Sequence, residues 1–219
     1  MLKLHAVLSV ASDGRFMNQK DHWEEVYLNK PSTEVSWYQS HLKKSFELIV
    51  SVSSKDSKII DVGGGSSTLV DDLLEKGYTN LTVLDISQEA LKVSKDRLGS
   101  LADKVTWIEA GITHVSFPPE SFDVWHDRAV FHFLTECTDR KKYIEILKSA
   151  LKPEGFLIMA TFSLEGPLKC SGLDVVRYSP EILSRELGDG FSLVKNSQEL
   201  HQTPFGTFQN FTYCLFRRN

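Results

Sequence analysis

The sequence predicts a doubly wound α/β domain with a mostly parallel, seven-stranded sheet, helices on both faces and an antiparallel hairpin at the C-terminal edge. Five short apolar segments alternate with segments of helical periodicity, which is typical of crossover connections on a parallel sheet. Two further apolar segments follow near the C-terminus, with a turn between them. The length of 219 residues suits one domain with a single large core.

The first crossover unit contains three consecutive glycines. Residues 58–62 form a β-branched run, the glycines occupy 63–65, and apolar residues recur at helical spacing over 69–76. Gly77 stands where a helix commonly ends. The predicted order is therefore strand, glycine turn and helix.

The remaining elements alternate in the same way, and the pattern changes near the C-terminus. The other predicted strands are apolar runs at 81–85, 105–108, 122–125, 155–162, 191–194 and 208–216. The other predicted helices are periodic segments at 87–99, 141–152 and 179–187. We expect residues 1–55 to form a helical cap outside the sheet and residues 56–219 to form the ligand-binding core of the same domain.

Composition and charge narrow the classes of function. Hydrophobic residues make up 41% and charged residues 25%, as in soluble globular proteins. Lys and Arg number 25 against 29 Asp and Glu, so the net charge of −4 lacks the basic excess that nucleic acid binding requires. No apolar run approaches the roughly 18 residues of a membrane span. We therefore expect a cytoplasmic protein, a monomer or weak dimer, without nucleic acid or membrane partners.

Cysteine usage and the N-terminal stretch bear on the compartment. The three cysteines are widely spaced and include no Cys-x-x-Cys pair, which predicts free thiols in a reducing environment. His5 and Ser9 interrupt the apolar N-terminal stretch and make it a poor secretory signal. A short organelle presequence ending near Arg15 is the alternative to a frayed terminus.

The carboxyl edge of the predicted sheet is where a ligand is expected. In doubly wound sheets, ligands bind beyond the carboxyl ends of the strands, next to a glycine turn that lets the backbone approach them. Asp61 precedes this turn, and Asp85 ends the next strand twenty positions after Gly65. A carboxylate at the position of Asp85 suits the two hydroxyls of a ribose. Dinucleotide-binding enzymes and methyltransferases both use this arrangement.

Two residues distinguish these two classes. Thr68 occupies the position of the third glycine in the dinucleotide fingerprint Gly-x-Gly-x-x-Gly. Asp61 would repel an anionic pyrophosphate, but it suits an ammonium group such as that of the zwitterionic amino acid end of S-adenosylmethionine. The sequence therefore favours S-adenosylmethionine as the cofactor, with NAD and a purely structural glycine turn as the alternatives.

With these residues the chain resembles the class I S-adenosylmethionine-dependent methyltransferases, and within them the small methyltransferase-domain or methyltransferase-like group. The resemblance extends over about residues 20–217. Residues 60–66 match the first motif of the family, and residues 83–87 match its second-strand acid. The resemblance implies a Rossmann-like methyltransferase fold and transfer of a methyl group from S-adenosylmethionine, with S-adenosylhomocysteine as the product.

The same resemblance implies roles for the residues around the glycine turn. Gly63 and Gly65, with Gly64 between them, would shape the loop around the methionine portion of the donor. Asp61 would organise this loop and the ammonium group of the donor.

Two further motifs concern the nucleoside end of the donor. The resemblance implies that Asp85 binds the ribose hydroxyls and that Ile86 packs on the adenine. In the third motif, Gly111 stands where the family has an aspartate that accepts a hydrogen bond from the adenine amino group, and the backbone of Ile112 remains as a donor to the ring. Loss of such a bond costs about 0.5 to 1.5 kcal/mol. We therefore expect weaker donor binding, not its absence.

Polar residues follow the fourth strand, which in this family ends beside the methyl group. We expect Asp127 and Arg128 to line the methionine end of the donor. Histidine has a suitable pKa for accepting a proton, so His132 is one catalytic candidate. Arg128, in the same segment, is the other. The alternative is an Asp–Arg ion pair beside a buried histidine. His126 and His132 have no further ligand at metal-binding spacing, and no metal is predicted.

The methyl acceptor is not identified by the sequence. Residues 21–27 and 35–39 resemble the lead-in segments that fold over the donor in this family, and Trp37, Tyr38 and His201 are the candidate substrate contacts. We slightly favour an unidentified small-molecule acceptor, because no recognition domain is appended. The alternatives are a protein-lysine N-methyltransferase, a non-catalytic S-adenosylmethionine-binding module and an NAD-dependent oxidoreductase.

Overall fold

The computed structural model describes residues 8–10 and 16–219 of the chain. Its helices are α1 (Gln19–Asn29), α2 (Lys43–Val52), α3 (Leu69–Glu75), α4 (Gln88–Leu98), α5 (Cys137–Ala150) and α6 (Pro180–Leu187). Its strands are β1 (Leu8–Val10), β2 (Phe16–Asn18), β3 (Lys58–Val62), β4 (Asn80–Asp85), β5 (Val105–Glu109), β6 (Phe122–Arg128), β7 (Leu151–Phe162), β8 (Lys169–Cys170), β9 (Leu173–Asp174), β10 (Phe191–Gln202) and β11 (Phe208–Arg218).

Seven of the described strands form one sheet, in the order β10-β11-β7-β6-β3-β4-β5. Strands β3 to β7 are parallel, whereas β11 is antiparallel to β7 and β10 is antiparallel to β11. The chain runs from β3 outward to β4 and β5, and then returns to the other side of β3 at β6. This reversal opens a crevice at the carboxyl ends of β3 and β6, the place where ligands bind in doubly wound folds. The predicted fold class is confirmed.

Two apolar layers cover the faces of the sheet. Leu48, Leu69 and Leu91, from α2, α3 and α4, are buried in one layer. Tyr143 and Leu183, from α5 and α6, are buried in the other. Each of these five helices thus buries an apolar face, which is why helical periodicity predicts four of them from the sequence.

The bounds of α5 and β7 differ from the predicted 141–152 and 155–162. Helix α5 ends at Ala150, and strand β7 begins at once with Leu151. Pro153 therefore lies inside a strand instead of ending a helix. A register shift in the β6–β7 pairing accommodates this residue, which has no N–H to donate.

Strand β10 is also longer than predicted, because it spans Phe191–Gln202 instead of 191–194. It is the edge strand of the sheet and most of its residues are exposed and polar, so its pairing with β11 leaves no apolar pattern in the sequence. The short antiparallel pair of β8 and β9 was not predicted either.

Helix α1 is joined to the first turn of α4 through one carboxylate. Glu24 accepts hydrogen bonds from the Ser87 hydroxyl (2.8 Å) and from the backbone N–H groups of Gln88 (2.8 Å) and Glu89 (3.0 Å). N–H groups in a first turn have no partner within their helix, and the helix dipole favours a negative charge there. Although burial opposes ionisation, the backbone bonds from Glu89 and Gln88 hold the pKa of Glu24 below its ordinary value.

We expect Glu24→Ala to loosen this junction and to lower the free energy of unfolding by about 1 kcal/mol, the usual effect of losing a helix cap. Thermal unfolding measures the stability, and amide hydrogen exchange at residues 88–90 measures the junction itself. The exposed neighbour Glu25 makes Glu25→Ala the matched control. Equal exchange in the two variants would contradict the assignment.

The N-terminal end of the chain is described only in part. Residues 1–7 and 11–15 lie outside the described residues, so the alternative of a targeting segment within 1–15 stays a prediction. Among the residues that are described, no helix has the length and apolar character needed to cross a bilayer.

Candidate functional site

The glycine turn after β3 passes close to the side chains of Val130, Asp85 and Ala90. Gly63 has a φ of +72°, and a Cβ at this position would collide with the side chain of Val130. A Cβ on Gly65 would lie 2.5 Å from both the Asp85 Oδ2 and the Ala90 Cβ. The absence of side chains therefore lets the turn approach Asp85 and leaves its backbone open to a ligand.

Asp85 ends β4 beside this turn. Its Oδ2 accepts a hydrogen bond from the backbone N–H of Gly65 (3.0 Å), and its Oδ1 accepts one from that of Ser87 (2.9 Å). Burial raises the pKa of Asp85 to about 6, against the opposite effect of these two bonds. A carboxylate offers about four acceptor positions, so acceptor capacity remains for the hydroxyls of a ligand.

The raised pKa of Asp85 predicts a pH dependence of donor binding. Below about pH 6 the carboxyl group is protonated and accepts ribose hydroxyls poorly, so we expect S-adenosylmethionine affinity to fall by up to about tenfold per pH unit. The contribution of Asp85 to stability has the opposite sign: because burial favours the protonated form, this contribution is lost as the pH rises through about 6. Calorimetry from about pH 7.5 to about pH 5 tests this, and a flat affinity would contradict it.

Ile86, Gly111 and Ile112 lie together at the ends of β4 and β5. A Cβ at Gly111 would stand 3.5 Å from the Ile86 Cδ1 and 3.4 Å from the His114 Nδ1, which are ordinary contact distances. Ile112 is buried and begins a short 3-10 helix, Ile112–His114. The structure thus brings together the three residues predicted to contact adenine, and it has room for a side chain at position 111.

A cavity of about 40 Å³ lies at the carboxyl ends of β3 and β6. The predicted site residues that line it are Trp37, Tyr38, Asp61, Gly63, Gly64 and Arg128. Its other lining residues are Tyr27, Ser32, Val35, Gln39, Leu42, Ser66, Ser67 and His126. One wall therefore comes from the sheet, and the other comes from α1 and the segment between α1 and α2.

Asp61 has one oxygen bound and one free. Its Oδ1 lies 2.7 Å from the His126 Nδ1. Its Oδ2 is buried and has no hydrogen-bond partner among the described residues. An unpaired buried carboxylate oxygen is costly in the unliganded protein, which marks it as a position for a positively charged or donor group of a ligand.

Arg128, which also lines the cavity, likewise has one buried atom without a hydrogen bond to a described residue. Its Nε donates to the Tyr213 hydroxyl (3.0 Å) and its Nη1 donates to the Trp37 carbonyl (3.2 Å). Its Nη2 is buried without a hydrogen bond to any described residue and lies 3.8 Å from the Glu199 Oε2. The guanidinium stands 4.5 Å from the centre of the Phe211 ring. The cavity is therefore lined by Asp61 and Arg128, each of which has one buried atom without a hydrogen bond to a described residue.

Asp127 does not lie in the cavity. Its carboxylate accepts hydrogen bonds from the Tyr143 hydroxyl (2.6 Å) and from the backbone N–H groups of Val130 (3.0 Å) and Phe131 (3.1 Å). Burial raises the pKa of Asp127 to about 6. Side chains alternate along a strand, so Asp127 faces the α5 side of the sheet while its neighbours on β6 face the cavity.

His132 also lies away from the cavity lining, on the short 3-10 helix Phe131–Phe133. The ring is fully buried and packs 4.6 Å from Phe133 and 4.7 Å from Phe162, centre to centre. Its Nδ1 accepts a 3.3 Å hydrogen bond from the Phe162 N–H. Burial, with the charge of Arg128, lowers the pKa of His132 to about 3 and keeps the ring neutral. That His132 takes part in catalysis stays a prediction.

Two of the candidate substrate contacts, Trp37 and His201, form separate hydrogen bonds in or to the lead-in segments. The Trp37 Nε1 donates to the Tyr27 hydroxyl (3.3 Å), and burial raises the pKa of that hydroxyl above its ordinary value. The His201 Nε2 donates to the Ser36 carbonyl (2.7 Å), and its Nδ1 lies 3.0 Å from the Gln39 Nε2. His201 is thus a strand residue that holds the lead-in segment, and burial lowers its pKa.

Several residues near the cavity were not predicted from the sequence. Ser45 on α2 and Tyr213 on β11 contact His126 and Arg128 respectively, and Glu199 on β10 faces the same guanidinium. A serine within an amphipathic helix and a tyrosine within an apolar strand are ordinary core patterns, so the sequence carries no signal for them.

The fold and the acidic residues around the glycine turn define a protein of the methyltransferase class. Residues 60–159 match the model of a family described as "Methyltransferase domain". A solved structure of the N-methyltransferase NodS from Bradyrhizobium japonicum WM9, in complex with S-adenosyl-L-homocysteine, is similar with a TM-score of 0.69 and 17% identity, covering 92% of this chain and 99% of that one. These similarities are to S-adenosylmethionine-dependent methyltransferases, in agreement with the class I resemblance of the sequence.

Two curated relatives differ in how much of their length is matched. The "eEF1A lysine and N-terminal methyltransferase" of Mus musculus is 29% identical over 108 residues, which are 49% of this chain and 15% of the mouse protein. The "Malonyl-[acyl-carrier protein] O-methyltransferase 2" of Ilyobacter polytropus is 25% identical over 182 residues, 78% of this chain and 68% of that protein. The similarity to the mouse protein is therefore confined to a small part of it.

Proposed function

We propose that this chain transfers a methyl group from S-adenosylmethionine to an acceptor by in-line displacement. One observation carries the proposal: Asp61 and Arg128 line the same cavity, and the Asp61 Oδ2 and the Arg128 Nη2 are buried without a hydrogen bond to any described residue. The amino acid end of S-adenosylmethionine has an ammonium and a carboxylate group, and so it would complete both.

The remaining residues fit the nucleoside end of the same donor. Asp85 has free acceptor positions for the ribose hydroxyls, and Ile86 offers an apolar surface to the adenine. The cavity of about 40 Å³ is smaller than the roughly 300 Å³ or more of a small-molecule pocket. We propose that the wall carrying Tyr27 and Trp37, which belongs to the predicted cap, shifts when the donor enters.

The chain's own residues would act mainly by alignment. S-adenosylmethionine, when bound, supplies a methyl group on a sulfonium, which is already an activated electrophile. Asp61, Arg128 and Asp85 would hold the donor at three places, and the aromatic wall of Trp37 and Tyr38 would exclude water. Alignment of this kind is worth roughly 7 to 11 kcal/mol of the barrier.

We propose a small-molecule acceptor, with a protein lysine as the second candidate. The Ilyobacter relative, matched over 68% of its length, is a malonyl-[acyl-carrier protein] O-methyltransferase, and its name gives a malonyl group instead of a protein lysine as the acceptor. The identity of 29% to an eEF1A lysine and N-terminal methyltransferase favours the second candidate.

Methyl-labelled S-adenosylmethionine and a size-fractionated lysate distinguish these acceptors. Label in the low-molecular-weight fraction would support the small-molecule acceptor, and label only in protease-sensitive macromolecules would support the second candidate. Calorimetry with S-adenosylmethionine and NAD is the control. Donor binding without any transfer would indicate a non-catalytic module, and binding of NAD alone would indicate an oxidoreductase.

Gly111→Asp is expected to tighten S-adenosylmethionine binding. The new carboxylate would accept a hydrogen bond from the adenine amino group, which stabilises the complex by about 0.5 to 1.5 kcal/mol, or a few-fold to about tenfold in Kd. The space beside Ile86 admits the side chain. Calorimetry measures the change, with Gly111→Ala as the control for the added Cβ. An unchanged or weaker Kd would show that Gly111 does not face the adenine.

A further inference from the structure

Five buried groups from four elements form a continuous row of hydrogen bonds beneath the cavity. The row starts at the Arg128 Nε, which lies 3.0 Å from the Tyr213 hydroxyl, and that hydroxyl lies 3.4 Å from the Ser45 Oγ. Ser45 Oγ lies 2.8 Å from the His126 Nε2, and the His126 Nδ1 lies 2.7 Å from the Asp61 Oδ1. All five residues are at most 9% exposed, so water does not compete for these bonds.

The two ends of the row determine its direction. A guanidinium has only donors, so the Tyr213 hydroxyl must accept from Arg128 and give its own hydrogen to Ser45. The Ser45 hydroxyl then donates to the His126 Nε2. The His126 proton therefore stands on Nδ1, where the acceptor is the Asp61 carboxylate. Every member of the row donates once to the next.

If both nitrogens of His126 were protonated, one hydrogen-bond donor of the row would have no acceptor within it. His126 would then donate to Ser45, and Ser45 would donate to Tyr213. The Tyr213 hydroxyl would receive two hydrogens, from Ser45 and Arg128, and its own hydrogen would have no acceptor within the row. A buried donor without an acceptor is destabilising. The neutral Nδ1–H form of His126 is therefore the one that fits.

We propose that Ser45, His126 and Tyr213 are positioning residues that hold Asp61 and Arg128 as one pair of opposite charges for a zwitterionic ligand. The inference rests on the proposed function for the identity of that ligand. The two terminal bonds of the row occupy the Asp61 Oδ1 and the Arg128 Nε, and they leave the Oδ2 and the Nη2 of these cavity-lining residues without a hydrogen bond to any described residue. The row thus couples the carboxylate-binding and ammonium-binding sides of the site.

The first test measures the tautomer of His126 in the wild-type protein. Nitrogen NMR at about pH 7 is expected to show a protonated Nδ1 and an unprotonated Nε2. Ser45→Ala removes the donor to Nε2 and is expected to shift these signals. An Nε2–H tautomer, or protonation of both nitrogens in the wild type, would overturn the proposed direction. This measurement does not depend on any ligand.

The second test measures S-adenosylmethionine binding by calorimetry. Ser45→Ala and Tyr213→Phe are each expected to raise the Kd about three- to tenfold, and the double variant is expected to raise it no further, because one break interrupts the row. The Ser53–Tyr78 hydroxyl pair, 2.9 Å apart and outside the cavity lining, provides the matched controls Ser53→Ala and Tyr78→Phe.

The outcomes separate this inference from the proposed function. Equal Kd values for the Ser45 and Ser53 variants, or additive effects in the double variant, would overturn the positioning role. A wild-type protein that does not bind S-adenosylmethionine at all would overturn the proposed donor and the positioning role for it, whereas the NMR result would still decide the direction of the row.

Discussion

Asp61→Asn is expected to abolish most donor binding without lowering the stability of the unliganded protein. Asparagine keeps an oxygen that accepts from the His126 Nδ1 and replaces the unpaired, buried Oδ2 with a neutral amide. Because the amide keeps the hydrogen bond to His126 and removes the charge on the unbonded oxygen, the stability of the unliganded protein is expected to stay unchanged or to rise. A ligand ammonium, in contrast, loses a charge-assisted hydrogen bond, which corresponds to a Kd about ten- to hundredfold higher.

Unchanged stability together with weaker donor binding in Asp61→Asn would support the role of Asp61 in binding the donor. Thermal unfolding gives the stability, and calorimetry with S-adenosylmethionine gives the Kd. Asp123→Asn is the matched control: Asp123 lies at the opposite end of β6, paired with Lys152 at 2.6 Å, and its loss is expected to affect stability slightly and donor binding not at all. An Asp61→Asn protein that unfolds several degrees lower but binds the donor normally would make Asp61 a structural residue only.

The sequence predicts those parts of the site that depend on local geometry. Gly63 comes directly after β3, and Asp85 is the last residue of β4. Their position at the carboxyl edge of the sheet is therefore determined once the two strands are recognised. The alternation of side chains along β6 would also have separated Asp127 from His126 and Arg128, because neighbours on a strand face opposite sides.

Other parts depend on how distant elements come together. Ser45 and Tyr213 are 168 positions apart, and they meet only because α2 packs across the sheet at the place where β11 joins β7. Neither residue belongs to a motif. The length of β10 is missed for a different reason, since an exposed edge strand has no apolar face to reveal its period.

Gly65→Ala is expected to weaken both the fold and the donor site. Its φ is not in the left-handed region, so the effect is steric and not a matter of backbone strain. The added Cβ would lie 2.5 Å from the Asp85 Oδ2 and from the Ala90 Cβ, closer than atoms can approach. The turn must therefore move away from both β4 and α4. Forced shifts of this size cost about 1 to 3 kcal/mol of stability.

The displacement also breaks the 3.0 Å bond from the Gly65 N–H to Asp85, the acid proposed to bind the ribose. We therefore expect a Kd for S-adenosylmethionine at least about a hundredfold higher, because the bonds proposed from the two ribose hydroxyls to the Asp85 carboxylate are misplaced together. Gly111→Ala adds the same methyl group at a contact distance of 3.4 Å and is expected to change neither property. A selective loss of binding in Gly65→Ala would locate the ribose beside the turn. Equal binding by the two alanine variants would show that the glycine turn does not contact the donor, and it would contradict the proposed role of Asp85.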